Sequence, residues 1–186
     1  MRLFVVGVCL VLIACDGATS GSSSGTGEEA LPELQPIAGG VGWTADPPFV
    51  PQRAANDMRD AQYAVTGQPE TLLTISHFDP EVGGGGEVGP NVERWVGQFR
   101  QPEGAEATVS EREVNDLRVT LVDVHGTFVG REGMGPESPP RPHWRMRGAI
   151  VEASRGLVFV KLLGPEAGVA AAAEAFDEMV RSIHPE

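Results

Sequence analysis

The chain has 186 residues and a formal net charge of −12, with 26 Asp and Glu against 14 Lys and Arg, and only two Cys. So acidic a surface repels phosphate backbones and anionic headgroups, which sets nucleic-acid binding aside. Cys9 falls inside an apolar N-terminal run, so Cys15 is the one thiol beyond it, and neither a disulfide framework nor a cysteine-based metal site is open to the domain.

Met1 to Ala14 reads as a signal peptide. Arg2 supplies a positive start, and Leu3–Ile13 forms an apolar segment of roughly a dozen residues, too short to span a bilayer. From Cys15 to Gly40 the chain is Gly, Ser, Thr, Glu and Pro with isolated aliphatics, a composition that predicts a flexible linker. About 25 residues of such coil have a root-mean-square span of roughly 25–30 Å.

A single globular domain is predicted over 41–186, about 145 residues and enough to bury a real core. Trp43 and Phe49, set among Gly and Pro, predict a short edge strand or capping segment. The runs 61–67 (AQYAVTG) and 71–78 (TLLTISHF) read as a hairpin turning at Gln68-Pro69-Glu70. Residues 80–90, with four consecutive Gly at 83–86, read as a loop. A short amphipathic helix is predicted over 91–100, capped by Asn91, with Val92, Trp95, Val96 and Phe99 on one face. Strands follow at 107–114 and 117–128 around the turn dipeptide Asn115-Asp116, then an irregular loop over 129–143. A second hairpin joins 144–153 to 156–164, whose later strand is apolar on both faces and therefore central. Pro165 opens a closing helix carrying the stripe Val169, Ala172, Ala173, Phe176, Met179, Val180 and Ile183, and Pro185 ends it. Hairpins with few helical crossovers predict an α+β fold, an antiparallel β-sheet with two main helices packed on it.

Four residues are candidate metal ligands. His77 and Asp79 lie two apart on one predicted strand, and Asp123 and His125 two apart on another. Residues i and i+2 of a strand share a face, so pairing of the two strands would converge two imidazoles and two carboxylates. The alternative is that polar residues at strand ends meet water. No GxSxG elbow is present, and the Gly83–Gly86 run lacks the Lys and Ser/Thr of a phosphate loop. Trp95 and Phe99 either line a ligand groove or belong to the core, and helical spacing favours core. Arg141, His143, Arg145 and Arg147 form a basic cluster, either paired with carboxylates or marking a docking patch.

Three resemblances add to this reading. Leu12-Ile13-Ala14-Cys15 resembles the lipobox of bacterial lipoprotein precursors, which implies lipid attachment at Cys15, acyl chains such as palmitate, and a place in the bacterial cell envelope facing the periplasm or exterior. The segments GWTA, NVERWVGQF, LVDVHGTF, MRGAIVEA and the closing FVKLLGPEAGVAAAAEAFDEMVRSI resemble a family of uncharacterised bacterial lipoproteins. The element order and the FDEMVRSI ending are similar to PsbP-like α/β/α sandwich domains, which implies a layered sandwich and a binding or assembly role. No catalytic residue and no cofactor follow from any of these resemblances. The expectation is a lipid-anchored, non-catalytic binding or assembly module, held on a membrane through Cys15 and open to an envelope protein partner, with no small-molecule ligand identified by the residues. The alternative is a metal-dependent hydrolase using His77, Asp79, Asp123 and His125.

Overall fold

In chain order the strands are β1 (Ile37–Ala38), β2 (Val41–Gly42), β3 (Phe49–Gln52), β4 (Ala61–Val65), β5 (Gln68–Phe78), β6 (Phe99–Arg100), β7 (Thr108–Val114), β8 (Leu117–Phe128), β9 (Arg141–Ala153), β10 (Gly156–Pro165) and β11 (His184–Pro185). Helix α1 is Val88–Val96, α2 is Glu166–Ala171 and α3 is Ala173–Ser182. This computed structural model describes residues 37–130 and 139–186. The predicted signal peptide, Cys15 and the linker as far as residue 36 lie outside the described residues.

Eight strands form one antiparallel sheet in the order β3-β4-β5-β10-β9-β8-β6, with β7 on the same edge of β8 as β6. Two runs of sequential hairpins, β3-β4-β5 and β8-β9-β10, are joined where β5 pairs with β10, from Leu72 opposite Leu163 to Phe78 opposite Leu157. The antiparallel, sheet-dominated α+β class predicted from sequence is therefore present. A second, three-stranded sheet holds β1, β2 and β11, so Ile37–Ala38, read as the end of the linker, is strand.

The turns follow local chemistry. Asn115 and Asp116 both adopt left-handed backbone (φ 48° and 65°), the conformation that a two-residue hairpin turn demands and that these residue types tolerate best. The Asn115 amide also donates to the Ile183 carbonyl at 2.7 Å, tying this hairpin to the end of α3. The first hairpin turns one step earlier than expected. Thr66-Gly67 makes the bend, with Gly67 at φ 74°, and Gln68-Pro69-Glu70 belongs to β5.

Two boundaries differ more. Helix α1 starts at Val88 rather than Asn91 and stops before Phe99, which sits in β6. Asn91 is buried in the helix instead of capping it, because its side-chain amide donates to the Gly85 and Glu87 carbonyls at 2.6 and 2.7 Å. The closing helix is two helices broken at Ala172, and Pro165 occupies the position before the first of them.

Side chains of β10 alternate between two apolar clusters. Val158, Val160 and Leu162 pack with Val169, Phe176, Met179 and Val180 of α2 and α3. Phe159 and Leu163 pack with Trp95 of α1, Val122, Phe128 and Met146. Both faces of β10 are thus buried, as its unbroken apolar run requires. Each fully buried side chain of this kind contributes roughly 1.5–3 kcal/mol relative to exposure.

Candidate functional site

The sheet face that carries α1 is covered unevenly. Helix α1 lies over the β8–β10 side, while beside it a groove of about 300 Å³ stays open above β5 and β10. Alternation along the two strands builds its floor. Leu72, Thr74, Ser76 and Phe78 project from β5, and Phe159, Lys161 and Leu163 from β10. One wall is α1 and its exit, with Arg94, Trp95 and Gln98. The other is the segment between β3 and β4, with Asn56, Met58 and Arg59. A volume of this size falls at the lower end of small-molecule sites, which run from about 300 to 1,000 Å³.

The floor is aromatic. Phe159 meets Phe78 edge-to-face at 5.7 Å between centroids and meets Trp95 likewise at 5.9 Å. Polar groups stand around it. Lys161 Nζ donates to Gln98 Oε1 at 3.0 Å and lies 5.9 Å from the Trp95 ring centroid. Arg94 Nη2 donates to Asn91 Oδ1 at 2.6 Å, so the buried Asn91, itself fixed by the Gly85 and Glu87 carbonyls, orients this guanidinium. Arg59 donates to Gln62. A hollow of about 350 Å³ adjoins over Gly85 and Gly86 and shares Phe78, Arg94 and Phe159 with the groove. Of the four-glycine run, Gly85 and Gly86 line this adjoining hollow, just before the start of α1.

The four candidate metal ligands are not brought together. Strand β5, which ends beside His77, and β8, which holds Asp123 and His125, are separated by β10 and β9, so the strand pairing on which convergence depended does not form. Each residue is placed locally. His77 Nε2 lies 2.7 Å from the Arg155 carbonyl, and its backbone N–H donates to Asp60 Oδ2 at 2.6 Å. Asp79 accepts from the Glu81 N–H at 2.8 Å and so caps a short 3₁₀ turn, Pro80–Val82. His125 is exposed beside Arg145 and Glu166. Asp123 takes a fork of two bonds from Arg145, at 2.8 and 2.6 Å. Among the described residues no three His, Cys, Asp or Glu are grouped as a metal site.

The basic cluster resolves into paired groups. Arg147 lies 3.5 Å from Asp123, reaches Asp177 of α3 at 2.9 Å, donates to the Ala173 carbonyl at 3.0 Å and stands over the Phe176 ring. Asp123, Arg145, Arg147 and Asp177 thus form one half-buried chain of charges that fastens α3 to the sheet. The bonds that Arg145 donates to Asp123 raise its pKa above the ordinary arginine value. Arg141 stacks its guanidinium 3.8 Å over Trp144, and His143 is exposed in left-handed backbone (φ 57°). Trp95 and Phe99 are core residues, 4% and 6% exposed, and Trp95 also borders the groove.

Arg59, Arg94 and Lys161 were not singled out by their pattern in the sequence. One signal was available: Lys161, the only Lys, interrupts an apolar strand between Phe159 and Leu163 on the same face. Arg59 and Arg94 carried none, because they meet that face only through the β5–β10 pairing.

No protein-family model matches the chain, and no curated protein matches it. Among solved structures it is similar to cyanobacterial PsbP (CyanoP) from Synechocystis sp. PCC 6803, a solution structure, with a TM-score of 0.51, 12% identity, and coverage of 80% of this chain and 88% of that one. At this identity the likeness is one of fold, and it agrees with the PsbP-like element order in the sequence.

Proposed function

We propose that the chain is a lipid-anchored protein of the bacterial cell envelope whose domain binds a ligand or partner without catalysis, and that its helices and sheet form a PsbP-like layered sandwich. The observation that carries the binding reading is the open groove above β5 and β10, an aromatic floor ringed by fixed polar groups. Against a catalytic reading stands the structural employment of His77, Asp79 and Asp123 in turns and ion pairs. The envelope reading rests on the apolar run ending at Cys15 and on the Gly/Ser stretch that follows it. Helices α1 and α2–α3 belong to different apolar clusters, which supports the sandwich. No helix of the described residues is long and apolar enough to cross a membrane.

Two measurements test this. In a bacterial host, Cys15→Ser should move the chain out of the membrane fraction or leave it as unprocessed precursor; a mature form still sedimenting with membranes overturns the anchor. In an NMR screen of small metabolites against the purified chain, perturbed amides should fall within 72–78 and 159–163. Hits confined to other surfaces overturn the groove as the binding site.

A further inference from the structure

We infer that the groove takes an amphipathic carboxylate, a small molecule with one anionic group on an apolar body. The inference rests on the groove being the binding site and adds the chemistry of what it binds.

Charge carries it. The chain has nearly twice as many acidic as basic residues, yet the groove is bordered by Arg59, Arg94 and Lys161, and no Asp or Glu stands among the described residues that line it, Glu87 being the one carboxylate of the adjoining hollow. Fields from the acidic remainder are damped over about 8 Å at physiological ionic strength, so the Arg59 and Arg94 guanidiniums weigh most inside the groove. Neither guanidinium is spent on a carboxylate of the described residues: Arg94 donates to the Asn91 amide oxygen and Arg59 to the Gln62 amide oxygen. Each has five N–H donors, and a neutral amide oxygen leaves its charge uncompensated. A guanidinium with a free edge matches a carboxylate through two parallel bonds. Arg94 is preorganised for this, since buried Asn91 is itself held by two backbone carbonyls.

The apolar half of the ligand follows from the floor. Phe78, Trp95 and Phe159 line the opening and pack edge-to-face on one another, an apolar surface that favours an acyl or aromatic body over a bare inorganic anion. The volume of about 300 Å³ suits a molecule of this kind rather than a peptide or a second protein chain.

The test uses the purified full chain carrying Cys15→Ser, so that no acyl group on that residue competes. Octanoate and 4-phenylbutyrate are titrated beside octanamide and 4-phenylbutanamide, which keep the apolar body and remove the charge, with amide shifts read by NMR. The carboxylates should perturb Thr74, Ser76 and Gln98 saturably and bind about tenfold more tightly than the amides, a preference that shrinks as salt rises. Arg59→Gln combined with Arg94→Gln should erase the preference while leaving the melting midpoint in place. Equal binding of acids and amides overturns the carboxylate inference and leaves the groove as a binding site. Absence of groove shifts with all four compounds overturns both readings. Retention of the preference by the double variant overturns the assignment to these two arginines.

Discussion

Trp95 shows how one side chain serves two structures. Its ring is 4% exposed, meets Phe159 edge-to-face and borders the groove, and it lies directly on Gly148 of β9. A Cβ built at Gly148 would sit 2.9 Å from Trp95 Cε3 and closer still to Cζ3, so only glycine lets the indole lie against the strand. Gly148→Ala should therefore cost about 1–3 kcal/mol by overpacking, read as a lower denaturation midpoint, and should displace the groove wall. An unchanged midpoint would show that the ring has room to move. His184 tests electrostatics at the same scale. Its imidazole is exposed and lies 2.8 Å from the Ser182 carbonyl and 2.9 Å from Glu186 Oε1, and these bonds, the backbone one first, raise its pKa above the ordinary 6.5. A group whose folded pKa is raised stabilises the fold fully below its unfolded value, and that contribution is lost as pH rises through the folded value. Stability should thus fall slightly from below pH 6.5 to above the folded pKa of His184, and His184→Gln should remove that step from a series of melts across pH.

Among the elements, the closing helices offer the sharpest test. Phe176 is 1% exposed and packs in one cluster with Val160, Leu162, Met179 and Val180. Phe176→Ala should cost about 3–5 kcal/mol through the cavity it leaves. Exposed Glu174, on the same helix, should tolerate Ala within about 0.5 kcal/mol, and urea unfolding of the two variants checks both values. The buried stripe was legible because its spacing is a direct print of the helix period, and it survives the break at Ala172. The break was not legible, since a run of Ala favours unbroken helix. It is a tertiary effect: α2 rests on β5, β9 and β10, whereas α3 approaches β7. Asn91 misled for a similar reason. An Asn before an apolar periodic run reads as a cap, and only the presence of the Gly85 and Glu87 carbonyls turns it into a buried tie.

For the whole molecule, the legible part was whatever hairpins dictate. Asn115-Asp116, Ser154-Arg155 and the Gly67 turn each join strands adjacent in sequence, so their pairing follows from turn chemistry. The β5–β10 pairing joins strands remote in sequence, and no local pattern encodes it. That one unread pairing decided the fate of both candidate sites. It separates His77 and Asp79 from Asp123 and His125, and it assembles the groove from β5 and β10. The apolar faces were visible in advance, but the place where one face stays uncovered was not, because that depends on how far α1 extends over the sheet.

The β5–β10 pairing has a further consequence, in the order of events during folding. Its partners lie about eighty to ninety residues apart, so their meeting must overcome a loop-closure entropy that the hairpins within β3–β5 and β8–β10 do not face. Hairpins form in microseconds, while long-range pairing is slow. A chain emerging N-terminus first completes β3-β4-β5 well before β10 exists, and the free side of β5 then waits as an unpaired edge. The charged and proline-bearing residues that protect natural edges are absent from the centre of β5, Leu72–Ser76, because in the finished sheet it is interior. The segment that floors the groove is therefore the stretch most open to intermolecular association while the chain is young, and β10 closes that hazard with the same seven residue pairs that create the groove.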